Sequence, residues 1–189
     1  VTVLVDAHAS GRHAHLGLTG GRIGTSSLAA LGTARARDAV DWTRVHVWWS
    51  DERFLPTGDP ERNETGAREV LLDLVAIPPE HVHPMPAPGG AWGDDVDLAA
   101  AAYAEELAEA AGPQDRGGVP AFDVLLLGVG PDGHVASLFP EHPALHDDRA
   151  VCGVRGAPKP PPVRITFTMP TINEAREVWD AVWPTVPGA

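Results

Sequence analysis

The sequence predicts an α/β protein built on a buried parallel sheet, and three observations predict it. Residues 124–127 form an unbroken apolar run, the pattern of a strand covered on both faces. Apolar strands run directly into loops rich in glycine or charge at residues 19–24, 50–56 and 128–134. Open α/β sheets bind their ligands there, beyond the carboxyl ends of the strands. Between these strands lie segments of helical character at residues 26–31, 63–75 and 95–111.

The chain has 189 residues, 43% of them hydrophobic, which suits a single domain over residues 1–189 with a substantial core. The net charge is −12 and no basic cluster occurs. That argues against nucleic acid or an anionic membrane surface as partner. With 14 Lys and Arg in all, an anionic metabolite needs these cations gathered locally. Cys152 is the lone cysteine, so an intrachain disulfide is excluded and a cytoplasmic location is expected. No apolar run approaches the ~18 residues of a membrane span, and no signal peptide is visible.

In chain order, residues 1–5 read as a short strand, with Asp6 able to cap a helix, and Leu16-Gly17-Leu18 as a second strand. The interval is about ten residues, shorter than a helical crossover needs, so either the connection is not a crossover or further chain is expected near residue 8. Thr19-Gly20-Gly21-Arg22-Ile23-Gly24 then turns from strand to helix. Backbone N–H groups at such a turn, together with the helix dipole, make an anion site. The plainer alternative is an ordinary glycine turn. The spacings fit neither a Walker A loop nor a dinucleotide fingerprint.

Residues 45–49 are the third strand, followed by Ser50-Asp51-Glu52-Arg53. Asp51 and Glu52 offer an acid, base or acceptor, and Arg53 a bidentate phosphate contact. A solvated loop with an internal ion pair is the alternative. Asn63 is placed to cap a helix running to about Val75, with Ala67, Val70, Leu71, Leu74 and Val75 on one face. His81 and His83 lie on an extended stretch. The pair is not read as a metal site, because no Cys, Asp or third His lies at ligand spacing nearby. Residues 95–111 form an Ala-rich helix with Glu105, Glu106 and Glu109 on a solvated face, and 112–120 a link.

The central strand stops at Gly128-Val129-Gly130, and Asp132-Gly133-His134 follow at once. A titratable pair thus stands just past the carboxyl end of a buried strand. A capping Asp beside a solvent-facing His is the bland alternative. Residues 151–154 read as a short strand. Pro158-Lys159-Pro160-Pro161-Pro162 then leads into a strand opening on Arg164. The prolines lower the entropy cost of holding Lys159 in one place, unless they form a polyproline surface linker. Residues 170–179 read as a helix, and 180–189 show no clear pattern.

Taken together, these loops resemble the family of 6-phosphogluconolactonases and glucosamine-6-phosphate deaminases, and the lactonases most closely. The matches are Leu18-Thr19-Gly20-Gly21; Trp49-Ser50-Asp51-Glu52-Arg53 with Arg62-Asn63 downstream; and Gly128-Val129-Gly130-Pro131-Asp132-Gly133-His134 running on to Ser137-Leu138-Phe139-Pro140. Pro158-Lys159-Pro160-Pro161 with Arg164-Ile165-Thr166 completes them. The resemblance implies a three-layer α/β/α fold with a mainly parallel, Rossmann-like sheet. It implies hydrolysis of 6-phosphoglucono-1,5-lactone in the pentose phosphate pathway, without cofactor or metal; a monomer or weak homodimer is expected. Two departures stand out. Arg22 and Ile23 occupy positions where the family usually has small or hydroxyl residues. The family also continues past Trp179 with a strand, a helix and a last strand, so further chain is expected there.

Bottom-up chemistry agrees with that implication. A lactone carbonyl needs an activated water, and histidine is the usual base at neutral pH. His134 is the candidate base, with Asp132 and Asp51 orienting water, imidazole or sugar hydroxyls. Thr19, Gly20, Gly21, Arg53, Lys159 and Arg164 are the candidates for binding phosphate and sugar, and glycine-loop N–H groups for the oxyanion. A phosphosugar deaminase or isomerase is one alternative, but that enzyme carries a glutamate where this chain has Phe139. A non-catalytic sugar-phosphate binding protein is the other. A serine hydrolase is disfavoured, since Ser137 lacks a Gly-x-Ser-x-Gly elbow.

Overall fold

The computed structural model describes residues 1–181. Strand β1 (Ala14–Leu18) is the spine of its main sheet, which has the order β2-β1-β4-β7 and is parallel throughout. Leu16 of β1 lies in register with Val47 of β2 (Val45–Trp49) on one side and Val124 of β4 (Val124–Gly128) on the other. Leu18, Val45, Val47 and Leu125 are fully buried, so apolar area on the central strands drives the assembly. Helix α2 (Gly21–Thr33) packs on α3 (Asn63–Val70) and on β4. Helix α4 (Val96–Ala110) begins at Asp95, whose carboxylate accepts the N–H of Asp97 and Leu98.

A second, antiparallel sheet has the order β3-β6-β5. It joins β3 (Asp51–Arg53), β6 (Arg164–Phe167) and β5 (Val151–Val154), and α4 lies across β5 and β6. The chain changes sheets at Ser50. Its N–H donates to the Leu18 carbonyl at 2.8 Å, and its own carbonyl accepts from Phe167 N–H at 2.7 Å. One residue is thereby stitched to both sheets, and Asp51 follows at the seam. Helices packed on a mainly parallel sheet give the expected α/β/α class, with a small antiparallel sheet added.

Four local expectations are corrected. Residues 1–5 are not a strand but part of α1 (Thr2–Ala9), with Asp6 inside it. The Val-rich run favours a strand locally, yet Leu4 and Ala7, one turn apart, bury against the sheet and decide the outcome. With a helix here, the short interval before β1 needs no crossover. Asn63 is the first residue of α3 rather than its cap, which is Arg62. That helix ends at Val70 and gives way to a 3-10 turn at Leu72–Leu74, leaving Leu74 exposed. Finally, residues 170–179 split into α5 (Met169–Asn173) and β7 (Val178–Ala181), which pairs with β4. Residues 182–189 of the patternless tail lie outside the described residues.

The amino-terminal ends of β1 and β2 meet a third histidine source. Val82 bridges to Val47, and His83 N–H donates to the Val47 carbonyl at 2.9 Å. His81 and His83 therefore lie beside His13, His15 and His46. Sequence spacing around His81 offers no third ligand; the fold supplies two, His13 and His46.

Asp123, immediately before β4, is 2% exposed and fastens this end of the sheet. Its carboxylate accepts the His15 N–H at 3.0 Å and a guanidinium N–H of Arg12 at 2.9 Å. Replacing it by Ala strands the His15 N–H and removes the Arg12 partner. The expected loss for Asp123→Ala is about 2–3 kcal/mol, measured by urea unfolding.

Candidate active site

Four loops close on one cleft of about 690 Å³ at the carboxyl ends of β1, β2 and β4. Thr19, Gly20, Gly21, Asp51, Arg53, His134, Lys159 and Arg164 all line it. Asp132 stands just behind His134. The structure thus brings every sequence-selected site residue to one place, with Asp51 and His134 facing the same space.

The first loop ends β1. Thr19 Oγ1 accepts the Gly128 N–H at 3.3 Å, which ties the ends of β1 and β4 together. Gly20 is the N-cap of α2 and brings no capping side chain, so the amides of Gly20 and Gly21 open the helix toward an anion. A Cβ at Gly20 would fall inside the Asn63 amide, so glycine is required by close approach. Gly21, Arg22, Arg53 and Asn63 also line a shallower adjoining depression, which marks them as one end of the cleft.

Asp51 is 5% exposed. Its Oδ2 accepts from Ser137 Oγ at 2.7 Å and its Oδ1 from Asn63 Nδ2 at 3.3 Å, while its carbonyl also accepts from Asn63 Nδ2 at 2.9 Å. Glu52 points the other way. It accepts the N–H groups of Arg53, Asn63 and Glu64 at 2.7, 2.7 and 2.8 Å, so it seats the amino end of α3. Burial outweighs these donors and nearby Arg62, and raises its carboxyl to about 7. Asn63 and Ser137 are the residues that sequence reasoning undervalued. The Arg62-Asn63 pair was the available signal for the first.

The loop after β4 does not enter a helix. Gly130 N–H donates to the His134 carbonyl and Gly133 N–H to the Gly130 carbonyl, both at 2.9 Å, folding the loop on itself. A Cβ at Gly130 would lie within the His134 ring. Glycine here lets the imidazole lie flat over its own loop. The amides of Gly128, Val129, Gly130 and Gly133 are all engaged internally, so this loop is not the source of oxyanion donors that its glycines suggest.

His134 Nδ1 lies 2.6 Å from Asp132 Oδ1, and Lys159 Nζ donates to the same oxygen at 3.1 Å. A carboxylate only accepts, so Nδ1 carries the proton and Nε2 keeps its lone pair. The His134 hydrogen bond, and then that of Lys159, pull the Asp132 carboxyl down to about 2. Phe139, buried, walls the imidazole with ring centroids 4.5 Å apart. The Arg164 guanidinium sits 5.7 Å over that same ring. Arg164 spends its donors on the carbonyls of Pro161, Lys159 and Pro160 at 3.1, 3.1 and 3.3 Å. It braces the proline loop that presents Lys159, with one edge 3.9 Å from Asp51.

Because the His134 bond is the chief cause of the low Asp132 pKa, His134→Ala moves this carboxyl up toward the ordinary ~3.9. A carbon-13 NMR titration of the Asp132 carboxyl reads it directly, and an unmoved midpoint would remove the pair.

The family model described as glucosamine-6-phosphate isomerases/6-phosphogluconolactonase matches residues 1–183. A Streptomyces coelicolor 6-phosphogluconolactonase is 59% identical over 180 residues, covering 95% of this chain and 69% of that protein. The Mycobacterium leprae 6-phosphogluconolactonase is 48% identical over 179 residues, covering 94% and 71%. Among solved structures, 6-phosphogluconolactonase from Thermotoga maritima superposes with a TM-score of 0.78 at 26% identity, covering 95% of this chain and 74% of that one. The Trypanosoma brucei enzyme gives 0.77 at 29%, covering 95% and 73%.

Proposed function

The chain belongs to the glucosamine-6-phosphate isomerase/6-phosphogluconolactonase family, and from that premise we propose that it hydrolyses 6-phosphoglucono-1,5-lactone to 6-phosphogluconate, the lactone step of the pentose phosphate pathway. The observation that carries this reading is the His134–Asp132 pair at 2.6 Å with apolar Phe139 against the imidazole. A base whose tautomer is set by a carboxylate serves ester hydrolysis. Phe139 stands where a ring-opening deaminase carries its glutamate.

His134 Nε2 takes a proton from water as the water oxygen bonds to the lactone carbonyl carbon. The carbonyl π pair moves to oxygen and forms a tetrahedral oxyanion. When it collapses, the bond from that carbon to the ring oxygen breaks, and the imidazolium returns its proton to the departing oxygen. Atoms and charge balance with no further reactant. Asp132 holds the ring and stabilises the imidazolium.

The cations divide the substrate between the two ends of the cleft. The amides opening α2 at Gly20 and Gly21, with Arg53, take the phosphate. Lys159, beside Asp132 and His134, stands at the reacting end and offsets the oxyanion charge. Asp51, with its oxygens already held by Ser137 and Asn63, positions sugar hydroxyls at the seam. The small-molecule lactone is the partner; a cytoplasmic location and a monomer or weak homodimer go with this reading.

The test is proton release from freshly generated 6-phosphogluconolactone, with glucosamine 6-phosphate as parallel control and spontaneous hydrolysis subtracted. His134→Ala is expected to lower kcat by ~10²–10⁴-fold with KM little changed. The parent kcat/KM falls on the acid side, since a protonated imidazole cannot accept the water's proton. Arg53→Ala is expected to raise KM about 10- to 100-fold, the equivalent of roughly 1.5–3 kcal/mol of charged hydrogen bonding. Turnover of glucosamine 6-phosphate instead of the lactone would overturn the proposal.

A further inference from the structure

Five of the histidines gather at the end of the sheet opposite the cleft, and the lactone chemistry uses none of them. His13 precedes β1, His15 lies on β1, His46 on β2, and His81 and His83 on the stretch that bridges to β2. From His46 to Asp51 the chain runs five residues of extended backbone, on the order of 16 Å.

Their hydrogen bonds dictate their tautomers. Glu106 Oε1 lies 2.6 Å from His83 Nδ1, so that nitrogen carries the proton. His83 Nε2 is then an acceptor, and it lies 3.0 Å from His46 Nδ1, which must donate. This leaves His46 Nε2 as the acceptor, 3.3 Å from His13 Nδ1. Trp48 Nε1 donates to His15 Nδ1 at 3.1 Å and keeps that ring out of the set. The Glu106–His83–His46 chain is the arrangement by which a carboxylate orients a metal-binding imidazole and raises its basicity.

We propose that His13, His46 and His81 form a binding site for a divalent transition-metal ion of the zinc class. One ring nitrogen from each lies within 4.8 Å of the other two. Two nitrogens about 2.05 Å from a single zinc at the tetrahedral angle stand about 3.3 Å apart, the spacing of the His13 and His46 nitrogens. His81 stacks on His46 with centroids 4.0 Å apart. The Nδ1 of His81 is buried without a hydrogen-bond partner among the described residues, so a lone pair or proton there is unsatisfied in the free protein. His13 is exposed, which leaves a fourth position to solvent. The ion would pin the start of β1, the start of β2 and the Pro79–His81 turn together. Its role is structural, since it lies far from His134.

The experiment is titration calorimetry with zinc chloride alone on the full chain carrying no polyhistidine tag, paired with thermal unfolding. One zinc per chain is expected. At free zinc near a hundred times Kd, Tm rises by about 5–10 °C. His13→Ala, at an exposed position, keeps the fold and the lactonase rate but weakens zinc binding at least tenfold. His81→Ala does the same from the other side, and the parent Tm in chelator confirms that its fold is intact. His134→Ala leaves the zinc stoichiometry and Kd unchanged. The proposal is overturned if zinc fails to bind at micromolar concentration. It is equally overturned if binding survives both His13→Ala and His81→Ala, or if His134→Ala is the variant that abolishes it.

Discussion

Ser50 is the residue on which the site's geometry depends. Its N–H extends the β1–β2 pairing of the parallel sheet, and its carbonyl accepts the N–H of Phe167 from the antiparallel one. A single buried peptide thus fixes the angle between two sheets. Because β3 starts at the next residue, Asp51 is delivered to the seam rather than into solvent. Asn63 and Ser137, arriving from α3 and from the loop after β4, then close on Asp51 from both sides. Three segments distant in sequence are locked to one carboxylate, and the cleft inherits that rigidity. Preorganisation of this kind is what a hydrolytic site needs, since the donors must be in place before charge develops.

In a chain of net charge −12, holding an anion is a problem of placement. Arg164 and Arg53 at the cleft are tethered by carbonyls that leave their charge intact, and Lys159 by a carboxylate. Arg164 is satisfied by proline-loop carbonyls, Arg53 by the Glu61 carbonyl at 2.5 Å, and Lys159 by Asp132. A guanidinium is a fitting donor to the carbonyls of this loop. The loop that carries Lys159 is therefore stiff by composition and braced from beneath. The α2 amino terminus adds positive potential without adding a side chain, which suits the close approach that Gly20 and Asn63 impose.

Much of this was legible in the sequence because the relevant signals are local. Unbroken apolar runs ending in glycine or charge announce parallel strands and their ligand-binding ends, and all the selected residues converge on one cleft or stand directly behind it. What stayed hidden is decided by contacts between distant segments. The Val-rich start reads as a strand until the pairing of Leu4 and Ala7 against the sheet is known. Strand β7 has four residues and no apolar alternation; it exists because the edge of β4 is open to it. Arg164 looks like a ligand contact, and its partners are carbonyls that no spacing reveals. The histidine cluster draws residues 13, 46 and 81 from three elements, so no motif marks it.

The two ends of the sheet use one device to different effect. A carboxylate fixes an imidazole tautomer at each. At His134 the carboxylate is Asp132, in direct contact, and it remains ionised down to about pH 2. That contact fixes the ring at the wall of the cleft. At the other end Glu106 acts through His83, and His46 is ringed by further imidazoles. Desolvation and their mutual repulsion hold His46 at about 3, so protonation there is closed at neutral pH. Burial and neighbours, not residue type, therefore set the imidazoles at the two ends of the sheet apart.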